Sequence, residues 1–443
     1  MGALRVAVVG SGPAGFYAAG ALLAAETPVE VDMIERLPTP WGLVRLGVAP
    51  DHPKIKSVSR AFERIAAQPA FRFLGNVEVG RDVWHEELLE HYDAVVYAVG
   101  AQSDRRMGIP GEDLPGSWAA TEFVAWYNGH PDFQELSFDL SGERAVVIGN
   151  GNVAVDVARM LALTPEELAP TDTTDAALAA FEAAGIREIV MVGRRGPAQA
   201  AFTTPELIEL GELAGADVVV DSAELAGAEA TDTNSERNLE VLREYASRTP
   251  EGKQKRLVLR FLASPVAILG EERVEGIELV RNRLEPDESG ALRAVPTGET
   301  ETLRCGIVFR SVGYRGVALP GLPFDEARGT IANDRGRVAP GVYAAGWIKR
   351  GPSGVIGTNK KDATETVELL LEDLRDAPRK DRSPDEIERL LLERGVRLVV
   401  YAGWASIDEL ERTAGEKLGR PRVKLCTWDE LLAAAERVAA TES

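Results

Sequence analysis

The sequence predicts an α/β protein with two Rossmann-like domains, the second inserted into a split first domain. Three observations predict this fold class. Residues 4–35 and 143–193 each have the pattern of a strand, a glycine-rich turn, a helix and a second strand. Residues 341–371 carry a further strand-to-helix unit, as expected of the returning half of the first domain. We therefore expect one domain over 1–103 plus 320–443 and the other over 104–319.

The first unit begins with LRVAVV, an apolar run typical of a buried parallel strand. GSGPAG follows, and the next strand ends at Glu35. Gly10 permits a tight turn, Gly12 lets the backbone approach a pyrophosphate, and Gly15 lets helix and strand pack closely. The helix N-terminus offers N–H groups to phosphates, and Glu35 can accept hydrogen bonds from ribose hydroxyls. The pattern predicts a dinucleotide site.

The second unit has the spacing Gly149, Gly151, Ala154, an allowed variant of the same motif. Its following strand ends at Arg194 and Arg195 rather than at an acid. An acid there would repel a 2′-phosphate, whereas an arginine pair can bind it through forked hydrogen bonds. This predicts a preference for NADP(H) over NAD(H). The alternative is an exposed basic turn.

Two different dinucleotide sites suggest an electron relay between a resident flavin and a diffusing nicotinamide. The unit at 341–371 would then place a helix N-terminus at the pyrimidine edge of the flavin, where its dipole stabilises negative charge. The alternative is an ordinary glycine-rich loop.

Composition excludes several classes of protein. The 443-residue chain has a net charge of −20, which argues against general nucleic-acid binding. Its two cysteines, Cys305 and Cys426, form no CxxC pair, so we expect neither an iron–sulfur cluster nor a redox dithiol, and we interpret both as buried apolar residues. The four histidines show no metal spacing, and no metal is expected.

The N-terminal stretch 6–25 is nearly uncharged and could be mistaken for a signal peptide or a membrane helix. Gly10, Gly12 and Pro13 would break such a helix in its middle. We therefore expect a cytoplasmic protein without a membrane span.

Five stretches resemble adrenodoxin reductase and its bacterial relatives, the ferredoxin–NADP reductases of that type. The resemblance covers residues 3–375. Its most telling stretches are PTPWGLVRLGVAPDHPKIKSV (38–58), GNVEVG (75–80), IGNGNVAVDVAR (148–159), VGRRGPAQAAFTTPEL (192–207) and AAGWIKRGPSGVIGTNKKDA (344–363). The resemblance implies an FAD enzyme that takes hydride from NADPH and passes single electrons to a ferredoxin.

The resemblance also implies site residues. Those expected to bind FAD are Gly10, Gly12, Pro13, Ala14, Gly15, Glu35, Arg36, Gly42, Leu43, Val79, Trp347, Gly354, Val355 and Ile356. Those expected to bind NADP are Gly149, Asn150, Gly151, Asn152, Val153, Arg194, Arg195 and Glu206. His52 and Glu209 match an active-site histidine and glutamate near the nicotinamide.

Each of these roles has a simpler alternative. Glu206 and Glu209 follow Pro205, so both are predicted in the first turn of a helix, where they could merely compensate its dipole. His52 lies in a pre-proline loop, where a histidine is more often solvated than catalytic. Since hydride transfer needs no acid or base, a positioning or electrostatic role of His52 beside Glu209 is the better interpretation.

Three further residues have structural alternatives to a functional role. Asp156 and Arg159 could form only a helical ion pair. On general grounds Trp347 is more often a core residue than a cover for a flavin.

Most ferredoxins are acidic, so docking requires a local basic surface on this acidic chain. The candidates are Arg45, Lys54, Lys56, Arg60, Arg64, Lys349 and Arg350, with a second cluster at Lys253, Lys255 and Arg256. The alternative is scattered solvated cations. The last residues are predicted as a helix at 386–396, a strand at 397–404, a helix at 405–420, and a strand and helix over 421–440.

Three other functions share part of this sequence pattern. A thioredoxin-reductase-like enzyme is disfavoured by the missing CxxC pair. The flavin subunit of a larger complex, such as a glutamate-synthase-like enzyme, usually carries an N-terminal cysteine-rich domain, and this chain starts at its first strand. A non-catalytic FAD-binding scaffold has no reason to keep both glycine turns and Arg194-Arg195.

Overall fold

The computed structural model describes residues 2–288, 290–354 and 356–437. The strands are β1 Leu4–Val9, β2 Val29–Glu35, β3 Phe71–Gly75, β4 Ala94–Tyr97, β5 Ser103–Asp104, β6 Ser117–Ala119, β7 Arg144–Ile148, β8 Glu188–Val192, β9 Ala216–Val220, β10 Lys255–Arg260, β11 Ala263–Leu269, β12 Gly276–Pro286, β13 Leu292–Arg304, β14 Ile307–Arg310, β15 Tyr314–Arg315, β16 Phe324–Asp325, β17 Thr330–Ile331, β18 Arg337–Ala339 and β19 Val342–Ala344.

The helices are α1 Pro13–Leu23, α2 Leu43–Leu46, α3 Pro53–Lys56, α4 Ser59–Ala66, α5 His85–His91, α6 Ala120–Tyr127, α7 Asn152–Ala162, α8 Pro165–Leu168, α9 Asp175–Glu182, α10 Thr204–Leu210, α11 Ser222–Leu225, α12 Thr233–Ser247, α13 Trp347–Arg350, α14 Ile356–Asp373, α15 Asp385–Glu393, α16 Tyr401–Glu416 and α17 Trp428–Ala435. Among the described residues, none of these helices combines the length and apolar character that crossing a bilayer requires.

The described residues form two packing units. The first unit lies within 1–103, 128–132 and 313–443, and the second within 104–127 and 133–312. These units are defined by packing alone. The domain boundaries predicted from the sequence, 1–103 plus 320–443 and 104–319, concern which cofactor each part binds. They stay a prediction.

The first unit contains a six-stranded sheet with the order β18-β19-β4-β1-β2-β3. All pairs are parallel except β18 with β19. Every residue of β1 is buried, as expected for a central parallel strand with both faces covered. Val6 and Val8 face a core shared with α1, α4 and α14, whereas Ala7 and Val9 face a second core shared with α15.

The second unit contains a six-stranded parallel sheet with the order β6-β14-β7-β8-β10-β9. An antiparallel sheet, β11-β12-β13, belongs to the same unit. The predicted α/β fold class, with two Rossmann-type sheets, is confirmed. The strand at 342–344 also pairs with β4, so the late segment does return to the first sheet.

The C-terminal part of the chain differs from the prediction. The strand predicted at 397–404 is wrong: only Val399 forms a bridge, to Gly75, and α16 then begins at Tyr401. The strand predicted from residue 421 is also wrong, because that segment is bonded to a side chain and backbone of α16 instead of to a strand. The predicted helices near 386–396 and before 440 are present as α15 and α17.

Candidate dinucleotide sites

The first glycine-rich turn follows β1 and requires glycine at two positions for the fold itself. Gly10 has φ +101°, and a Cβ there would lie 2.6 Å from the carbonyl oxygen of Ala98. A Cβ at Gly15 would lie 1.9 Å from the carbonyl oxygen of Gly10. At Gly12 a Cβ would meet nothing within 4 Å. Glycine at position 12 therefore keeps open a space that the protein does not fill.

This open space lies where a Rossmann fold binds its ligand. The strand β1 has β2 on one side and β4 on the other, and the carboxyl end of β1 is therefore the point where strand order reverses. The helix α1 begins there with Pro13 in its first turn. The first N–H groups of a helix have no intrahelical partner and can bind phosphate oxygens.

Glu35 is held beside this turn by three hydrogen bonds. Its Oε2 accepts from the Ser11 amide at 2.9 Å and from the Ser11 hydroxyl at 2.6 Å, and its Oε1 accepts from the Leu37 amide at 3.0 Å. A carboxylate has about four acceptor positions, so one remains for a ligand hydroxyl. This is the arrangement expected of a ribose-binding acid.

Two other segments lie against the N-terminus of α1. A Cβ at Gly42 would lie 3.0 Å from the Cα of Gly12, and a Cβ at Gly346 would lie 2.5 Å from the Cβ of Ala14. The indole Nε1 of Trp41 is buried and has no hydrogen-bond partner among the described residues. A buried donor without a partner is costly, and a bound group would satisfy it. The residues of this unit therefore fit the FAD that the resemblance implies.

Other residues predicted to bind FAD have different surroundings. Leu43 is exposed at the start of α2, whereas the side chain of Val79 is buried in the core. Arg36 donates to Asp132 at 2.6 Å and lies over the ring of Trp428. Only the backbone of Val79 is left to contact a ligand, and Arg36 already has partners. Their binding roles stay predictions.

The late segment carries the remaining predicted FAD residues. Trp347 begins α13, is half-buried and packs against Tyr314 with ring centroids 5.5 Å apart. Gly354 is exposed and has φ +78°, and Ile356 begins α14. The predicted residue Val355 lies outside the described residues. The predicted strand, glycine-rich loop and helix are thus present in order.

The second glycine-rich turn repeats the logic of the first. Gly149 has φ +138°, and a Cβ there would lie 2.2 Å from the carbonyl oxygen of Ser311. At Gly151 a Cβ would again meet nothing within 4 Å. The strand β7 lies between β8 and β14, so this turn too marks a reversal of strand order.

The segment before α10 is bonded to this second turn. The Ala201 amide donates to the carbonyl of Asn150, and the Thr203 amide donates to the Oδ1 of Asn152, both at 2.8 Å. Val153 is the second residue of α7. These bonds bring α10, with Glu206, to the glycine turn that is predicted to bind NADP.

Arg194 and Arg195 are exposed, and neither side chain forms a hydrogen bond or an ion pair within the part of the chain that the structure describes. Their backbone is held firmly. Asn282 donates through Nδ2 to the carbonyl of Arg194 at 2.8 Å, and the Leu262 amide donates to the carbonyl of Arg195 at 3.1 Å. Two unpaired guanidiniums on a fixed loop fit a phosphate of NADP(H). The residues present therefore suit this coenzyme.

Sequence reasoning missed Asn282. It lies on β12, is buried, and also donates to the Ser264 hydroxyl at 2.8 Å. The strand pattern around Asn282 gives no sign of a contact with Arg194, which is 88 residues away in the sequence. The available sign was a polar residue at a position where the alternation of β12 points into the core.

The carboxylates near the second turn are organised by Arg159. Its guanidinium is buried and donates to Glu206 and Glu209, each at 3.2 Å, and to Asp156 at 2.8 Å. The helical ion pair considered for Asp156 and Arg159 is confirmed as part of this larger cluster. Because α10 begins at Thr204, Glu206 is in the first turn of that helix and Glu209 is not. The prediction that Glu209 also lies in the first turn is therefore wrong.

His52 directly precedes α3 and is buried, so the alternative of a solvated loop histidine is wrong. Its Nε2 lies 3.9 Å from a carboxylate oxygen of Asp51. The neighbouring Pro53 begins the helix, as prolines often do.

Comparison with known proteins shows the family to which the chain belongs. The sequence profile of the pyridine nucleotide-disulphide oxidoreductases matches residues 4–191. The NADPH-ferredoxin reductase FprA of Mycobacterium tuberculosis is 56% identical over 446 residues, covering 96% of this chain and 98% of that protein. The chain belongs to the adrenodoxin reductase-type family of ferredoxin–NADP reductases.

Two further comparisons agree with this family. The mitochondrial NADPH:adrenodoxin oxidoreductase of Arabidopsis thaliana is 42% identical, covering 98% of this chain and 95% of that protein. The solved structure of Mycobacterium tuberculosis FprA in complex with NADPH superposes with a TM-score of 0.95 at 54% identity, covering 98% of this chain and all of that one.

The cysteines of this reductase are poor candidates for electron carriers. Cys305 and Cys426 are both free, and Cys305 is buried as predicted, whereas Cys426 is half-buried. Burial raises the pKa of the Cys305 thiol to about 12 and that of Cys426 to about 11. Both are therefore protonated and unreactive near neutral pH.

Several of the cations predicted to dock ferredoxin are bonded within the fold instead. Arg45 and Lys349 are not available: Arg45 is buried against Glu411, and the side chain of Lys349 is 9% exposed and pairs with Asp362 at 3.0 Å. Arg350 also bonds within its own segment, to Asn359 at 2.9 Å. These residues support the fold, which their positions in the sequence did not reveal.

In the second predicted cluster, two lysines are bonded to backbone carbonyls, and Arg256 is exposed but has an acidic partner. Lys255 donates to the carbonyl of Leu161 at 2.7 Å, and Lys253 donates to the carbonyl of Leu213 at 2.8 Å. Arg256 pairs with Glu188. The exposed members of the first cluster are Lys54, Arg60 and Arg64, with Lys56 half-buried.

Proposed function

We propose that this chain is an FAD-dependent NADPH:ferredoxin oxidoreductase. The observation that carries the proposal is the pair of glycine turns, each at the strand-order reversal of its own sheet. The first is followed by Glu35, suited to a ribose, and the second by Arg194 and Arg195, suited to an extra phosphate. One chain with two such different sites can hold one dinucleotide while it exchanges another.

In the first unit, the open space at Gly12 and the N–H groups of α1 would receive the FAD pyrophosphate. Glu35 would accept a ribose hydroxyl, and the segments around Gly42 and Gly346 would enclose the cofactor. When bound, FAD accepts a hydride and releases its electrons one at a time.

In the second unit, the turn at Gly149–Gly151 would bind the NADPH pyrophosphate. Arg194 and Arg195 would bind the 2′-phosphate, and Asn282 keeps their backbone in place before the coenzyme arrives. Glu206 would lie beside the bound coenzyme because α10 is bonded to the same turn.

We assign His52 and Glu209 positioning and electrostatic roles near the nicotinamide. Hydride transfer moves two electrons with the hydrogen, so neither residue has to act as an acid or a base. Arg159 holds a carboxylate oxygen of Glu209 at 3.2 Å and thereby limits the orientations of that side chain. The cytoplasmic location stays a prediction.

The ferredoxin would dock on exposed cations of the first unit. Lys54 on α3 and Arg60 and Arg64 on α4 are exposed, as are Lys360 and Lys361 on α14. Helices α4 and α14 pack on the same core as α1, so both lie on one side of the sheet. These exposed cations give an acidic partner a local place to bind on a chain of net charge −20. Exposed acids also lie on α14, where Lys361 Nζ is 3.9 Å from Glu365.

Reversing two of these charges tests the docking surface. In Arg60→Glu/Arg64→Glu, we expect kcat/KM for an acidic ferredoxin to fall about tenfold at low salt, because steering by opposite charges is lost. Raising the salt concentration should slow ferredoxin reduction by the wild type and leave reduction of a neutral dye unchanged. NADPH should support both reactions far better than NADH.

The matched control is Arg328→Glu/Arg389→Glu, which changes the net charge equally. Arg389 lies on α15 and Arg328 on the β16–β17 ribbon, both of which pack on the other side of the sheet. The control should reduce ferredoxin at nearly the wild-type rate. Equal losses in the two double variants would show that net charge alone matters and would remove the docking surface.

A further inference from the structure

The segment 41–46 lies beside the first glycine turn and is called here the 41–46 loop, although its last four residues form the single-turn helix α2. The Trp41 amide donates to the carbonyl of Ser11 at 3.0 Å. A Cβ at Gly42 would lie 3.0 Å from the Cα of Gly12. This loop therefore lies directly against the backbone of the first glycine turn.

The backbone of this loop is in an unfavourable conformation. Trp41 has φ +83° and Gly42 has φ +49°. Glycine tolerates such an angle, but a tryptophan rarely adopts it because its Cβ crowds the backbone. A conformation of this kind persists only where the surrounding structure holds it.

One support of the loop is Glu411, on α16. Its carboxylate accepts from Arg45 Nη1 at 2.8 Å and Nη2 at 2.5 Å, from Arg422 at 3.0 Å and from the Leu425 amide at 2.9 Å. These bonds use all of the about four acceptor positions of a carboxylate. The Glu411 side chain is 0% exposed. Burial acts to raise its pKa, but the two guanidiniums outweigh burial and hold that pKa below its usual range.

The second support is Trp404, on the same helix. Its ring packs edge-on against Trp41 with centroids 4.9 Å apart, and the Arg45 guanidinium lies 5.2 Å from its centroid. Trp404 and Glu411 are two helical turns apart and therefore lie on one face of α16. One helix thus contacts the loop at residue 41 and at residue 45.

We propose that Glu411 is a positioning residue for the flavin site, acting through Arg45 to hold the 41–46 loop against Gly12. This rests on the proposed binding of FAD at the first glycine turn, and it assigns the C-terminal segment a role in retaining that cofactor. Since the Glu411 side chain is 0% exposed and its carboxylate is bonded to protein donors, its effect on FAD must pass through the loop.

The test compares the release of FAD from holoenzyme variants. Glu411→Gln keeps the shape of the side chain and removes the charge opposite Arg45. Arg45→Lys keeps a cation there but loses the two-pronged pairing. After dilution of each holoenzyme, the rise of flavin fluorescence measures the release of FAD. We expect release from both variants to be about tenfold faster than from the wild type.

Glu409→Gln is the matched control. It is also a glutamate-to-glutamine change on α16, and the Glu409 side chain is exposed and has no hydrogen bond or ion pair among the described residues. We expect it to release FAD at the wild-type rate. A shift of the visible absorption band of the flavin still bound, measured well below the unfolding temperature, should appear in the two test variants and not in the control.

Release rates and absorption bands in the test variants equal to those of Glu409→Gln would overturn the proposal. If Glu411→Gln does not fold, the result for Arg45→Lys alone tests the proposal. In that variant the buried Glu411 carboxylate still has a positive charge opposite it, from the lysine. The variant Gly12→Ala tests the flavin site itself. If this variant retains its FAD, the cofactor does not bind at the first glycine turn, and both the proposed flavin site and the role of Glu411 are wrong.

Discussion

Replacing Gly12 with alanine should remove FAD from this protein while leaving its fold intact. The backbone at Gly12 has φ −72° and ψ −177°, which alanine adopts readily, and its Cβ would meet no protein atom within 4 Å. The added methyl group would instead occupy the space in which the pyrophosphate approaches the turn. Loss of about two charge-assisted hydrogen bonds there would weaken FAD binding by about 10²-fold or more.

The measurement is the FAD content of the purified variant together with the melting temperature of its flavin-free form. Flavin-free proteins must be compared, because a bound cofactor itself raises the melting temperature. Gly15→Ala is the contrast: its Cβ would lie 1.9 Å from the Gly10 carbonyl, so this variant should lose stability as well. A Gly12→Ala protein that is fully yellow would contradict the proposed site.

Gly151→Ala supplies the reciprocal control. Gly151 has φ −105° and ψ 175°, and its Cβ would also meet nothing within 4 Å. We expect this variant to keep its FAD and to lose affinity for NADPH by a similar factor. The two single methyl groups should thus separate two binding events. Loss of both cofactors in either variant would mean that the two turns do not serve separate ligands.

The second large effect is expected at the arginine pair. In Arg194→Ala/Arg195→Ala, the KM for NADPH should rise by about 10²-fold or more, because each charge-assisted hydrogen bond to the phosphate contributes about 1.5–3 kcal/mol. The KM for NADH should change little, since NADH has no 2′-phosphate. Steady-state reduction of a dye with each coenzyme measures both values.

The same double variant should leave the fold undisturbed. Both side chains are exposed, and the structure gives them no partner among the described residues. Exposed side chains without partners contribute little to stability. Retention of FAD and of the melting temperature is therefore the control for the kinetic effect. An equal loss with NADPH and NADH would show that the pair does not recognise the phosphate.

The glycine turns were predictable because the sequence pattern that marks them is local. A buried strand, a residue at positive φ and a helix N-terminus all fall within a few neighbours of Gly10 and Gly149. The charges at the end of β8 could likewise be interpreted from position alone. The sequence therefore predicted both sheets, both turns and the contrast between Glu35 and the arginine pair.

The C-terminal part was harder because its helical pattern is hidden. The buried positions of α16 include Gly403, Glu411 and Gly415 as well as Trp404 and Ile407, so a simple apolar period is missing. RLVVYAGW looks like a strand when taken alone.

Burial of cations was also unpredictable. Arg45 is the one charged residue of the stretch WGLVRLGVA (41–49), and its partner Glu411 is 366 residues away in the sequence. Pairings at such separations leave no local signal. Docking candidates chosen by proximity in the sequence therefore mixed surface residues with structural ones.

The bond from Asn282 to the Arg194 carbonyl has a consequence for engineering. The strand β12 belongs to the small antiparallel sheet, while the arginines follow a strand of the large parallel one. Under the proposed function, coenzyme choice thus depends on two sheets: one supplies the charges and the other sets the shape of the chain that presents them. Exchanging residues 193–196 alone for those of an NADH-using enzyme would graft new side chains onto a backbone still shaped for the old ones. A working conversion has to redesign the two sheets together.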